Sequence, residues 1–331
     1  MILTVTLNLA LDVTYRLPEV DWDGVNRVGA VHRRAGGKGV NVARVLATLG
    51  HEVLVAGLAG GPTGQAIAGD LRAAGLPSDL TPIAADSRTT LAVTETPTPR
   101  PSPARARPGS GQARTQTPGV AERGAWAGRT ALFNEPGPEV TPGELESFVR
   151  RYEPLVAAAD AVVLSGSLPR GVPLDTYAAL AAIAAREGVP AIVDADGEPL
   201  RHAPDGRPSV VKPNAEELAR AVPGGDPAES AQALRERGAE AVVVSMGAGG
   251  LLAVTEEGTF RARMPYTVGG NPTGAGDSLV AGLALGLVER APWPDRLRRA
   301  AALGAAAVAA PVAGDFDPDV YADIHPKIII T

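Results

Sequence analysis

Short apolar runs alternate along this chain with longer segments in which apolar side chains return every three to four positions. The runs at 2–7, 53–58, 161–164, 191–194, 209–212 and 241–245 are rich in Val, Ile and Leu and read as strands, with 250–254 close behind. Helical spacing marks 142–158, 174–187, 215–221, 228–237, 274–289 and 295–310. Two earlier helices follow glycine clusters, one from Lys38 to Gly50 and one ending at Ala74. In the last of the glycine-started helices, Leu279, Val280, Leu283, Ala284, Leu287 and Val288 form two adjacent stripes, which predicts one apolar face. From residue 140 the strand–helix alternation is regular. It predicts a mainly parallel sheet with helices on both faces.

Two stretches break this rhythm. Residues 13–34 alternate loosely and predict a small β element outside the main sheet. Residues 88–94 read as a strand opened by Arg88, and a strand resumes at 131–134, so the pair suits a hairpin. The segment 97–130 between them holds six prolines, six arginines and one acid, Glu122. Its apolar content is too low to offset the entropy of ordering, and we expect a disordered or polyproline-like insertion. With neither an internal repeat nor a linker, residues 1–331 are expected to form a single domain.

Composition narrows the function. Apolar residues make up 45% of the 331 positions and aromatics only 4%, so the core is built from Ala, Val and Leu. A net charge of −6 gives no polyanion-binding signature, so no nucleic acid partner is expected. The absence of cysteine removes disulfides, thiolate metal sites and a cysteine nucleophile. No run reaches the length of a membrane span, and the N-terminus lacks a signal-peptide pattern. A soluble cytoplasmic protein without a membrane partner is expected.

The candidate chemistry gathers around Asn271-Pro272-Thr273-Gly274-Ala275-Gly276-Asp277. It opens a helix, where backbone amides lack intrahelical partners and the macrodipole favours an anion. Asp277 in the first turn would face the same spot, and a carboxylate beside an anion hole suits deprotonation of a hydroxyl attacking a phosphoryl group. A glycine loop capped by Asp explains the same residues without chemistry.

Five more stretches at strand ends carry polar groups. Asn8 and Asp12 follow the first strand, where a polyol could be bound or a turn formed. Gly36-Gly37-Lys38-Gly39 with Asn41 lacks Walker A spacing, yet permits close backbone approach to a polar ligand. Asn214 and Glu217 suit either Mg²⁺-bound water or a capping box. Ser165-Gly166-Ser167 could set a hydroxyl over a ligand, and Ser245 with Gly247 and Gly250 could back a nucleotide. A dinucleotide fold is disfavoured because Ala59 occupies the first glycine position of a near GxGxxG.

Three of these stretches, in this order, resemble the ribokinase-like (PfkB) family of carbohydrate kinases: Gly36 to Ala43, Asn214 to Glu217 and Gly274 to Asp277. Within it the chain resembles the phosphosugar branch of 1-phosphofructokinases and tagatose-6-phosphate kinases. The start Thr6-Leu7-Asn8-Leu9-Ala10-Leu11-Asp12 is similar to that branch's TLNPALD, with Leu9 for Pro. Arg88-Thr89-Thr90 is similar to its phosphate-gripping RTN, with Thr90 for Asn. Asn134-Glu135-Pro136-Gly137-Pro138 also matches, and Asn271-Pro272 resembles the tagatose-6-phosphate kinase type.

The resemblance implies a three-layer α/β/α sandwich with a β lid near 13–34 and 88–134, pairing into homodimers. It implies Asp277 as catalytic base and Gly274, Ala275 and Gly276 as the anion hole. Asp12 would bind sugar hydroxyls. Gly37, Lys38 and Asn41 would line the sugar-phosphate pocket, with Arg88 and Ser167 on the substrate phosphate. Ser245, Gly247 and Gly250 would lie along ATP, while Asn214 and Glu217 organise Mg²⁺ through water. The expected reaction is ATP-dependent phosphorylation of fructose 1-phosphate, fructose 6-phosphate or tagatose 6-phosphate to the bisphosphate. A kinase of an unphosphorylated sugar or nucleoside, and a non-catalytic sugar-phosphate sensor, are the alternatives.

Overall fold

The computed structural model describes residues 1–95 and 130–331. In chain order the strands are β1 (Ile2–Thr6), β2 (Ala10–Leu17), β3 (Ala30–Gly36), β4 (Val53–Gly60), β5 (Ser78–Ile83), β6 (Arg88–Glu95), β7 (Thr130–Asn134), β8 (Ala161–Ser165), β9 (Ala191–Asp194), β10 (Val210–Val211), β11 (Val242–Ser245), β12 (Leu251–Thr255), β13 (Gly258–Arg263) and β14 (Ile329–Ile330). The helices are α1 (Lys38–Thr48), α2 (Gly61–Ala73), α3 (Pro142–Ala157), α4 (Thr176–Arg186), α5 (Glu198–His202), α6 (Ala215–Ala221), α7 (Pro227–Glu236), α8 (Ala275–Val288), α9 (Trp293–Val308) and α10 (Pro318–Ile324).

Ten strands form one sheet in the order β14-β13-β12-β11-β10-β9-β8-β1-β4-β5. From β11 to β5 every pairing is parallel, and β12, β13 and β14 add an antiparallel edge. Every residue of β1 and β8 is buried, as expected of central strands covered on both faces. Alternate side chains then feed two cores. Ile2, Val163 and Ile192 pack with α1, α8 and α9, whereas Leu3, Leu164 and Val193 pack with α3, α4 and α7. This is the expected three-layer α/β/α arrangement.

The elements outside that sheet form a second one of four strands, β3-β2-β6-β7, so 13–34 is the small β element expected. β6 runs parallel to β2 and antiparallel to β7, with Thr94 opposite Thr130. Thr130 therefore belongs to a strand and not to the insertion, while 97–129 lies outside the described residues.

Two other expectations need correction. The strand at 209–212 is reduced to Val210–Val211, because Pro208 and Pro213 on either side have no N–H for a ladder. Helix α8 has no polar face along most of its length, since Asp277 through Gly286 are all buried. It is sandwiched rather than laid on a surface. A Cβ on Gly282 would stand 2.7 Å from Ala300 Cα, so glycine permits the backbone of α9 to lie directly against α8. The edge strands β5 and β14, the neighbouring strand β13 and the short helices α5 and α10 carry no clear periodicity in the sequence.

Among the described residues no helix is long and apolar enough to cross a membrane.

Candidate active site

Gly274 caps α8 with a left-handed backbone (φ 85°), and a Cβ there would press to 2.8 Å from Ala313 Cα. The sharp entry turns the first amides of α8 outward. The Ala275 amide is spent on the Pro272 carbonyl at 3.2 Å, but those of Gly276 and Asp277 meet no acceptor among the described residues. Of the residues expected to form the anion hole, Gly276 keeps an unpaired amide, as does Asp277 next to it, whereas Gly274 turns the chain and Ala275 closes the turn.

Asp277 is 7% exposed and accepts a hydrogen bond from Asn41 Nδ2 at 2.8 Å. Burial raises its carboxyl to about 6, with the charge of Asp194 adding to the effect. Lys38, the Asn41 bond and Lys212 pull the other way without cancelling it. Asn41 reaches Asp277 from α1, so the Gly37–Asn41 stretch and the α8 start, 236 residues apart, form one site.

Lys38 and a second lysine converge on a carboxylate that the sequence did not single out. Asp194, at the end of β9, accepts from Lys38 Nζ at 3.1 Å and lies 3.2 Å from Lys212 Nζ. Burial raises the Asp194 carboxyl, but the two lysines outweigh it and hold the group below the usual carboxylate range. Burial likewise draws Lys38 down, yet Asp194, Asp277 and Glu217 more than compensate, keeping its ammonium charged. A Cβ on Gly276 would sit 3.9 Å from Lys212 Nζ, which places that ammonium beside the free amides of α8. The signal for this pair lay in register: β9 and β10 align Val193 with Val211, so the next residues, Asp194 and Lys212, are neighbours.

Asp12 sits on β2 opposite Thr90 of β6. Burial lifts its carboxyl to about 6 against the opposing charge of Arg88, the Thr90 side chain, Arg34 and Arg44. Thr90, which departs from the family pattern, thus serves Asp12. Arg88 donates from Nε to the Asn8 carbonyl at 3.2 Å and from Nη1 to the Glu135 carbonyl at 3.3 Å. Asn8 in turn donates to Ser167 Oγ at 3.0 Å. Arg88 and Ser167 are therefore brought together through Asn8.

Asn214 and Glu217 form a complete capping box at the start of α6, with bonds of 2.8 and 2.7 Å. Among the described residues no group of three or more His, Cys, Asp or Glu could hold a metal directly. Ser245 ends β11 and bridges to Asn214. Gly247 (φ 54°) has open space on its Cβ side, whereas Gly250 (φ 87°) presses on the Ala262 carbonyl.

Residues 6–100 and 110–319 match the pfkB family of carbohydrate kinases, and the chain belongs to that family. It is an ATP-dependent carbohydrate kinase. Phosphofructokinase-2 from Escherichia coli, crystallised with potassium, is 29% identical, with a TM-score of 0.82 over 98% of both chains. The same enzyme has been crystallised with fructose-6-phosphate and as a tetrameric inhibited form; each is 28% identical over 98% of both chains, with TM-scores of 0.79 and 0.80. A possible 1-phosphofructokinase from Thermotoga maritima shares the fold at 23% identity, with a TM-score of 0.81 over 100% of this chain and 98% of its own.

Proposed function

We propose that the chain transfers the γ-phosphoryl group of ATP to a free hydroxyl of a ketohexose phosphate, giving the bisphosphate. The observation carrying this reading is Asp277: a buried carboxyl held near 6, one residue from an unpaired helix-start amide and tied to the sugar side by Asn41. In the reaction the hydroxyl passes its proton to Asp277 as its oxygen attacks the γ-phosphorus, and ADP leaves with the electron pair of the broken P–O bond. The Gly276 and Asp277 amides and the Lys38 and Lys212 ammonium groups stabilise charge on the moving phosphoryl oxygens. Gly247, with Ser245 and Gly250 behind it, offers the room for the nucleotide.

Mg²⁺ fits this site through water rather than directly. The capping box uses one carboxylate oxygen of Glu217 and leaves the other to accept from a metal-bound water, with Asn214 fixing its position. When bound, the ion neutralises the phosphate charges of ATP.

Arg88 and Ser167 hold the phosphate already on the sugar, and Asp12 binds a sugar hydroxyl. Fructose 6-phosphate, found with the E. coli neighbour, is the first substrate to test, beside fructose 1-phosphate and tagatose 6-phosphate. We further propose a cytoplasmic, lid-paired homodimer, supported by exposed Val31 and Phe133, which the strand register places on one face of the four-stranded sheet.

A charge-assisted Arg–phosphate contact is worth about 1.5–3 kcal/mol, so Arg88→Ala should lower kcat/KM for the phosphosugar about 10- to 150-fold. The KM for ATP should stay near that of the wild type. An equal loss on fructose and its phosphate, or a defect confined to ATP, would remove Arg88 from the phosphate site and with it the phosphosugar reading.

A further inference from the structure

We propose that Asn8 is a positioning residue for substrate selectivity: it fixes Arg88 and Ser167 relative to each other and sets the Ser167 hydroxyl as a donor to the sugar's phosphate. The inference rests on the reading that these two side chains hold that phosphate.

Asn8 lies just beyond β1 and is 3% exposed. A turn-forming Asn bonds to its own backbone two residues on, but here the amide reaches 159 residues away to Ser167 Oγ. That bond has a direction. Because Ser167 Oγ accepts from Nδ2, the hydroxyl's own hydrogen is left to donate elsewhere, as an anionic ligand requires. The Asn8 main-chain carbonyl meanwhile takes Arg88 Nε, and Glu135 takes one Nη1 hydrogen. Among the described residues both Nη2 hydrogens of the guanidinium then stay available for phosphate oxygens.

The amide is also held against rotation. Gly137 (φ 93°) packs on it so closely that a Cβ there would stand 2.3 Å from Asn8 Oδ1. Among the described residues Asn8 Oδ1 is buried without a hydrogen-bond partner, an arrangement that stability alone would not favour. The main chain and side chain of one residue thus link strand β6 to the β8 end, and both donors face the site from fixed origins.

The test compares Asn8→Asp, Asn8→Ala, Ser167→Ala and the Asn8→Asp/Ser167→Ala double variant, with Arg88→Ala as reference. The substrate is whichever of the three ketohexose phosphates the wild type turns over with the highest kcat/KM. Asn8→Asp keeps the shape but can only accept, so the Ser167 hydrogen turns toward it and is lost to the phosphate. Its KM for the phosphosugar should rise about 10-fold or more. The kcat and the KM for ATP should stay within about twofold of wild type, since neither Asn8 nor Ser167 touches the transferred group. Ser167→Ala added to Asn8→Asp should cost nothing further. If Asn8→Asp does not fold, Asn8→Ala is judged by the same KM split and its own double variant with Ser167→Ala. An unchanged phosphosugar KM, an equal fall in kcat, or fully additive losses would overturn the proposal. If Arg88→Ala is selective for the phosphosugar while the Asn8 variants are silent, this inference alone fails. If Arg88→Ala affects fructose and its phosphate alike, the phosphosugar reading fails first and takes this inference with it.

Discussion

Replacing Asp277 by Asn tests catalysis and electrostatics in one protein. Loss of a positioned general base should cut kcat about 10²–10⁴-fold, with little change in either KM. The wild-type kcat/KM should fall as pH drops through about 6, because that profile follows the free enzyme and only the ionised carboxylate accepts a proton. Stability should move the other way. Folding raises this carboxyl from 3.8 to about 6, so the native state binds its proton more tightly than the unfolded chain. That contribution is fully present below about 3.8 and is lost as pH rises through about 6. Above that, the ionised group costs about 2 pK units at 1.36 kcal/mol each, or roughly 3 kcal/mol. Asn is nearly isosteric and can still accept from Asn41. The variant should therefore be more stable than wild type by about 3 kcal/mol at pH 8 and about half that at pH 5. For 331 residues the unfolding entropy is about 0.7 kcal/mol/K, so the Tm gain is about 4 °C at pH 8 and about 2 °C at pH 5. Calorimetry at the two pH values, with a coupled ADP-release assay, measures all three effects. Turnover near wild type would refute the base. A Tm gain that is absent, or the same at both pH values, would refute the electrostatic account.

Asp194→Asn should be the damaging change nearby: it strands Lys212, whose side chain is 4% exposed, at a cost of about 3–5 kcal/mol. A Tm lowered by less than about 2 °C would mean that water or another group already satisfies that lysine. Excising 97–129 and joining the flanking strands by a short turn should leave the fold and Tm close to wild type, because Thr94 and Thr130 are paired directly across β6 and β7. An insoluble or much less stable product would show that the segment contributes to folding.

The sequence by itself determined what short-range patterning controls. Glycines followed by an apolar period marked the starts of α1 and α8, and Val- and Ile-rich runs marked the central strands; each depends on backbone conformations within a few residues. It also contained Asp277, Lys38 and Asn41 in the first turns of glycine-started helices and Arg88 at the start of a strand. Tertiary structure decided which of these groups meet. The pairing of Asp194 with Lys212 follows from strand order and register, and the Asn41–Asp277 bond spans 236 residues. Burial of α8 on all sides, which lifts the Asp277 carboxyl, depends on α9 approaching at Gly282 and has no mark in the α8 stripes. The capping box at Asn214 and Glu217 likewise depends on the backbone bringing both partners together. Asn8 shows the division most clearly, for its own neighbours mark it as a turn residue, whereas Ser167 and Arg88 arrive from strands distant in sequence. Contacts of that kind depend on how distant segments pack, which no local pattern along the chain encodes.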